Sequence, residues 1–351
     1  MTLNPYRAQP EKAFWKKAVA ERHMADMADL WQPLALRKTD RVATAGSCFA
    51  QHIGRNLAQR GANYMDMEPA PPVFEDAAQA RDWGYGVFSA RYGNIYTTRQ
   101  LVQLFDEAHG NRTPAERVWQ RGDRYHDALR PSVDPVGQDS PETVIALRDR
   151  HLAAVRRMFA ELDLFVFTLG LTEGWEARAD GTMYPMAPGT LAGSHDPEKY
   201  VFHNLRHAEI LADMKGFRDR LLGVNPRARM LLTVSPVPLT ATATDHHVLP
   251  ATIWSKSVLR SVAGEMAEDH DDVTYFPSYE IIAAHPMQGM FFNPDKRTVN
   301  QFGVDLVMKQ FFSGPLAATF GAQTPAEAAP VDLICDEEKL ERALDPAPTA
   351  R

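Results

Sequence analysis

The stretch Ala43-Thr44-Ala45-Gly46-Ser47-Cys48-Phe49-Ala50 decides how this chain is read. An apolar run, a strand over Arg41 to Ala45, enters Gly46-Ser47-Cys48 and passes directly into a segment with helical spacing. Phe49, Ile53 and Leu57 recur at every fourth position, Arg and Gln fill the other face, and Gly61 supplies a stop. Gly46 permits a tight strand-to-helix turn, Ser47 is of the type that caps a helix, and the N–H groups at a helix start favour a thiolate at Cys48. The same residues also fit a small, inert cysteine buried at a strand end. The turn alone leaves both readings open.

Further along, apolar runs and helical patterns alternate. Leu164-Phe165-Val166-Phe167-Thr168-Leu169 ends at Gly170, Met230-Leu231-Leu232-Thr233-Val234 ends at Ser235-Pro236, and Val273-Thr274-Tyr275-Phe276 follows them. Helices are expected over Thr98 to His109, Pro141 to Leu162, Arg206 to Leu222, Thr252 to Asp269 and Asn300 to Phe312. Continuous apolar strands separated by helices require a parallel sheet covered on both faces, an α/β class, three-layer α/β/α sandwich. The residues just past each strand then gather on one edge, where such sheets hold their ligands.

The 351 residues carry a net charge of -7, with 44% hydrophobic and 24% charged content. An acidic chain with no Lys/Arg run argues against a nucleic-acid footprint and for a small molecule or glycan as partner. Two cysteines, Cys48 and Cys335, exclude a disulfide framework. The segment Met1 to Arg22 lacks the apolar core of a signal peptide, and no apolar run approaches the roughly 20 residues of a membrane span, so a cytoplasmic location is expected.

Three regions follow from these patterns. Residues 1–40 are expected to form a helical extension, mainly over Glu11 to Leu36. Residues 41–314 hold the α/β domain, with an insertion at about 62–140. Within it Met67 to Tyr96 is a long loop rich in Pro, Gly and aromatics, and Asn111 to Ser140 is weakly structured. Residues 315–351 form an Ala/Pro-rich tail expected to be flexible or loosely docked.

The strand ends carry a resemblance. Gly46-Ser47-Cys48-Phe49-Ala50 matches the name-giving motif of the GSCFA family, and the set of strand ends is similar to the SGNH (GDSL-like) hydrolase superfamily over roughly Arg41 to Phe312. The resemblance implies an α/β/α fold and acyl-ester chemistry. In the superfamily's Gly-Asp-Ser block the serine is the nucleophile; registered on Gly46, Ser47 falls at the Asp position and Cys48 at the nucleophile position. The second block implies an oxyanion-hole amide from Gly93, followed by Asn94. The third, Gly-x-Asn-Asp, corresponds to Gly170-Leu171-Thr172-Glu173, with the Thr172 hydroxyl replacing an amide donor; capping of the next segment is the alternative role for Thr172 and Glu173, and the apolar strand before them favours the site role. The last block, Asp-x-x-His with a later Gly, aligns with Asp295-Lys296-Arg297-Thr298 and Gly303, except that its histidine is Thr298.

A threonine cannot act as general base near neutral pH, so another histidine serves or the hydrolase chemistry is lost. His52 lies four residues after Cys48 on the same helix face. His203 follows the third-block loop, and His285 precedes Asp295 by ten residues. Asp245, His246 and His247 lack recognised metal-ligand spacing, and no metal is expected. Lys256 and Arg260 are expected on a solvated helix face, and Trp175 and Trp254 in the core or a pocket wall.

The resemblance thus implies an acyl hydrolase or O-acyltransferase acting on an ester or thioester, including a glycan ester, through a covalent acyl-enzyme at Cys48. No cofactor is required, and acyl-CoA is a candidate donor because thiol and thioester exchange is nearly isoenergetic. The reading from another class is a non-catalytic glycan- or partner-binding module that kept the fold and lost the base.

Overall fold

A computed structural model of the chain describes residues 4–27 and 29–321. The strands are β1 (Arg41–Gly46), β2 (Asn63–Tyr64), β3 (Val118–Arg121), β4 (Arg124–Asp127), β5 (Leu164–Leu169), β6 (Glu173–Ala177), β7 (Met183–Tyr184), β8 (Tyr200–Asn204), β9 (Arg229–Val234) and β10 (Val273–Phe276). The helices are α1 (Ala50–Gln59), α2 (Ala77–Asp82), α3 (Thr98–Ala108), α4 (Pro141–Glu161), α5 (His207–Val224), α6 (Val248–Asp269), α7 (Ser278–Ala283), α8 (Gln301–Phe311) and α9 (Gly314–Phe320).

All six residues of β5 are buried, as an apolar strand in the middle of a covered sheet must be. Its side chains alternate between two cores. Phe165, Phe167 and Leu169 join Leu101, Val155, Phe217 and Val262 from α3, α4, α5 and α6. Leu164 and Val166 face Ile53, Ile282, Val307 and Phe311 from α1, α7 and α8. The result is the three-layer α/β/α sandwich. The five strands of the main sheet are parallel in the order β10-β9-β5-β1-β2.

That order sets the position of the site. From β1 the chain crosses to β2 on one side, then returns to β5 on the other, so the connections diverge between β1 and β5. The carboxyl ends of these two strands flank the crevice in which open α/β sheets bind ligands.

Two regions differ from the sequence expectation. The N-terminal extension is not a long helix; it forms short turns at Pro5–Ala8, Glu11–Ala13, Lys16–Ala20 and Met24–Asp26. None of these short elements buries a residue, so no apolar helix face is covered there, and the extension is anchored by Met27, Trp31 and Leu36 instead, with Trp31 Nε1 donating to the Gln310 carbonyl at 2.9 Å. The segment read as weakly structured contains the antiparallel β3–β4 hairpin. This hairpin packs on a second small sheet, β7-β6-β8, through Trp119, Ala177, Tyr184 and Tyr200. At the other end, α9 continues the ordered chain with Leu316 and Phe320 buried. The rest of the tail, Cys335 included, lies outside the described residues. No helix among those described is long and apolar enough to cross a membrane.

Candidate active site

Gly46 ends β1 with φ +127°, a conformation that L side chains rarely adopt. A Cβ there would lie 2.3 Å from the Thr168 carbonyl oxygen on β5. Glycine is therefore required by both torsion and space. The turn is pinned further when Ser47 N donates to Thr168 O at 3.1 Å. Successive short bonds, Ala50 N to Ser47 O and Gln51 N to Cys48 O, then wind the chain into α1.

Ser47 does not cap this helix. Phe49 occupies the cap position without a side-chain bond, and the buried Ser47 Oγ has no hydrogen-bond partner among the described residues. Ser47 sits two residues before the cap position. Cys48 is 3% exposed and packs with Val237, which follows β9, and Val299, which precedes α8. The ends of β1 and β9 and the segment before α8 thus converge on the thiol.

The expected second and third blocks meet at the same edge. Ile95 N donates to Gly46 O at 2.9 Å, placing Gly93 and Asn94 beside the turn. Gly93 takes φ +69°, and Asn94 is buried. The Tyr96 carbonyl accepts from Gly170 N and Leu171 N, at 3.3 and 2.9 Å. Gly170 is packed so closely that a Cβ would meet Ser47 Cβ at 3.0 Å. Thr172 is fully buried, however, and its hydroxyl donates to Ser255 Oγ on α6 at 3.1 Å. Glu173 accepts from Thr242 Oγ1 at 2.7 Å and Ala243 N at 3.2 Å, which fixes its carboxylate against the loop after β9.

Beside Gly170 opens a cleft of about 260 Å³ whose wall includes Tyr96, Leu171, Trp175, Met186 and Phe202. Trp175 and Phe202 are cross-strand partners on β6 and β8, so both project on the cleft side of the small sheet.

The histidines are dispersed. His52 is buried with its ring edge-on to Phe49 at 5.4 Å. Burial, helped by the Arg55 charge, pulls its pKa down to about 4, so it is neutral and weakly basic at pH 7. His203 pairs with Gly174 across β8 and β6, on the face opposite the Trp175–Phe202 pair. Its Nδ1 meets Glu176 at 2.9 Å and its Nε2 meets Glu209 at 3.0 Å, so both ring nitrogens are engaged away from the turn. His285 is exposed and stacks on Trp15 of the extension. Neither His203 nor His285 is brought to Cys48. His247 caps α6, accepting from Leu249 N.

In the segment read as the last block, Thr298 closes on Asp295. Its Oγ1 donates to Asp295 Oδ2 at 2.6 Å, and the Arg297 and Thr298 amides donate to Oδ1. Burial would raise the Asp295 pKa, but these bonds outweigh it and hold the carboxyl below its usual value. Gly303 lets α8 approach, since a Cβ there would meet Phe291 Cβ at 2.8 Å and Val299 at 3.0 Å.

Two groups were not foreseen. Lys256 is 1% exposed rather than solvated, and its Nζ donates to the Gly170 carbonyl at 2.7 Å. The spacing Thr252, Lys256, Leu259, Val262, Met266 places it on the buried stripe of α6, a signal present in the sequence. Arg260 pairs with Glu280 and lies over the Tyr275 ring, while Trp254 is exposed rather than in the core. The other group is a buried carboxylate–imidazole pair, Glu68 with His151 Nδ1 at 2.7 Å. Burial lowers the His151 pKa to about 4, against the pull of Glu68. Burial would raise Glu68, but His151, Arg130 and the Arg91 amide bring it to about 2. At neutral pH Glu68 is ionised and His151 neutral, with Nε2 at a cavity of about 30 Å³, room for one water.

A glycine-forced strand-to-helix turn at the switch point of a parallel sheet, with a buried cysteine at its start, defines the class as a three-layer α/β/α protein with its candidate site at the carboxyl ends of the strands. The sequence model of the GSCFA family matches residues 41–311, and the chain belongs to that family. A search of curated proteins finds no significant match.

Proposed function

We propose that the protein is an acyl-transfer enzyme of the SGNH type with Cys48 as nucleophile. The Cys48 sulfur attacks the carbonyl carbon of an ester or thioester, the new S–C bond forms, and the bond to the leaving alcohol or thiol breaks. That leaving group takes up the proton given up by Cys48. The acyl group then passes to water or to a hydroxyl such as that of a glycan, and acyl-CoA is a suitable cytoplasmic donor. The oxyanion would lie against N–H groups of the turn and of the Gly93-Asn94 segment. What carries the reading is the Gly46 conformation, which fixes Cys48 at the β1/β5 crevice.

The test is incubation with an N-acetylcysteamine thioester followed by peptide mass measurement. A stoichiometric acyl adduct on the Cys48 peptide, absent in Cys48→Ala, is expected. No adduct on the unaltered protein would overturn the proposal. The second reading, a binding module, is favoured by the Asp295–Thr298 bond that fills the base position. It predicts ligand binding without any adduct.

A further inference from the structure

We infer that the cleft beside Gly170 is the acyl-chain subsite, and that it takes an uncharged aliphatic chain of medium length; the inference rests on the acyl-transfer reading.

Position is the first argument. Tyr96 and Leu171 line the cleft, and their backbones are joined to each other and to Gly170, which abuts Ser47. On the acyl-transfer reading, the shortest course for a chain from Cys48 into this space runs past Ser47 and Gly170.

Chemistry is the second. Leu171, Trp175, Pro185, Met186 and Phe202 give the wall an apolar surface. Glu173 is the charged side chain in that wall, and its oxygens are held by Thr242 and Ala243. The Thr242 hydroxyl is in turn shared with Thr244 at 2.8 Å. A sugar ring would find few uncommitted partners for its hydroxyls, and stripping water from those hydroxyls would be costly. The fixed carboxylate repels an anionic chain end, whereas a neutral alkyl chain gains from every methylene buried.

Size and stiffness complete the case. A volume of about 260 Å³ is far larger than an acetyl group needs. Its wall is held in place, since Trp175 on the cleft side of the small sheet is paired on both sides, with Tyr184 and Phe202. Such a wall is a preformed slot for a flexible chain.

The experiment compares Cys48 acylation by acetyl and hexanoyl thioesters of N-acetylcysteamine. Burial of a methylene is worth roughly three- to fourfold, so the hexanoyl donor should react at least about tenfold faster at limiting concentration. Ala241 is exposed at the cleft rim. Ala241→Trp should occlude the slot and collapse the hexanoyl-to-acetyl ratio, as should Trp175→Ala by removing a wall. Equal rates for the two donors, or a ratio unmoved by both variants, would overturn the subsite while leaving the acyl-transfer reading standing. Absence of any adduct with either donor would overturn that reading, and the subsite with it.

Discussion

The Thr298 hydroxyl donates to Asp295 at 2.6 Å, so this carboxylate is satisfied by an alcohol three residues on. Val299, the next residue, packs against Cys48. On the acyl-transfer reading proposed above, this loop would hold the base, with a hydroxyl where an imidazole would stand.

Thr298→His should install a general base beside Cys48 with Asp295 as its orienting partner. Acylation near pH 7.5 should rise by about tenfold or more, at the low end of what positioned bases deliver. Thr298→Val, which removes the hydroxyl without adding a base, should give no rise. Equal rates in the two variants would show that this loop does not address the thiol.

Gly46→Ala should unfold or strongly destabilise the protein. Backbone strain and a 2.3 Å contact with a sheet carbonyl act together, and a loss of at least about 2–3 kcal/mol in urea unfolding is expected. A loss under about 0.5 kcal/mol would mean that the turn is not fastened to β5 as described.

Lys256→Met keeps the aliphatic stem and deletes the ammonium on the Gly170 carbonyl. Loss of a buried charged hydrogen bond predicts about 1.5–3 kcal/mol of destabilisation. Because Gly170 supports both Ser47 and the cleft, the Cys48 acylation rate should fall as well, measured at a temperature where the variant is fully folded. An unchanged rate would confine Lys256 to the interior of the fold.

Acid should weaken the protein in two stages. His52 and His151 have folded pKa values near 4, below the ordinary 6.5, so the unfolded chain binds protons that the folded chain refuses. Stability therefore falls as pH drops from 6.5 to about 4, by up to about 3 kcal/mol per histidine. Glu68 and Asp127, both lowered to about 2, contribute above their unfolded values, and that contribution is lost as pH falls further towards 2. For Asp127, burial acts against the shift and the Arg148 and Arg130 charges produce it. Urea midpoints across pH 7 to 4 should show the first stage, and His151→Gln should make it shallower. An identical slope in that variant would contradict the neutral assignment of His151.

The main sheet was legible because its strands are uninterrupted apolar runs bounded by helices, as in Leu164 to Leu169. The hairpin at Val118–Asp127 was missed because its residues alternate with Arg, Gln and Asp on an exposed edge. Yet Gly122-Asp123 between paired Arg121 and Arg124 is a two-residue turn signal, with Gly122 at φ +62°. Within the site, the Gly46-Ser47-Cys48 turn could be read because the constraint is local. His151 and Glu68 lie 83 positions apart, one inside a helix and the other in a proline-rich loop, so only tertiary packing joins them. His203 was misleading for the same reason, since its two carboxylate partners come from β6 and α5.

The small sheet β7-β6-β8 and the β3–β4 hairpin share their own core around Trp119 and Tyr200, outside the two cores of the main sheet. The Gly46 turn thus rests on the main sheet, whereas Trp175 and Phe202 of the cleft wall belong to the small one. On the acyl-transfer reading, substitutions at Trp175, Met186 and Phe202 would therefore change the donor preferred without reopening the close approach of Gly46 to Thr168.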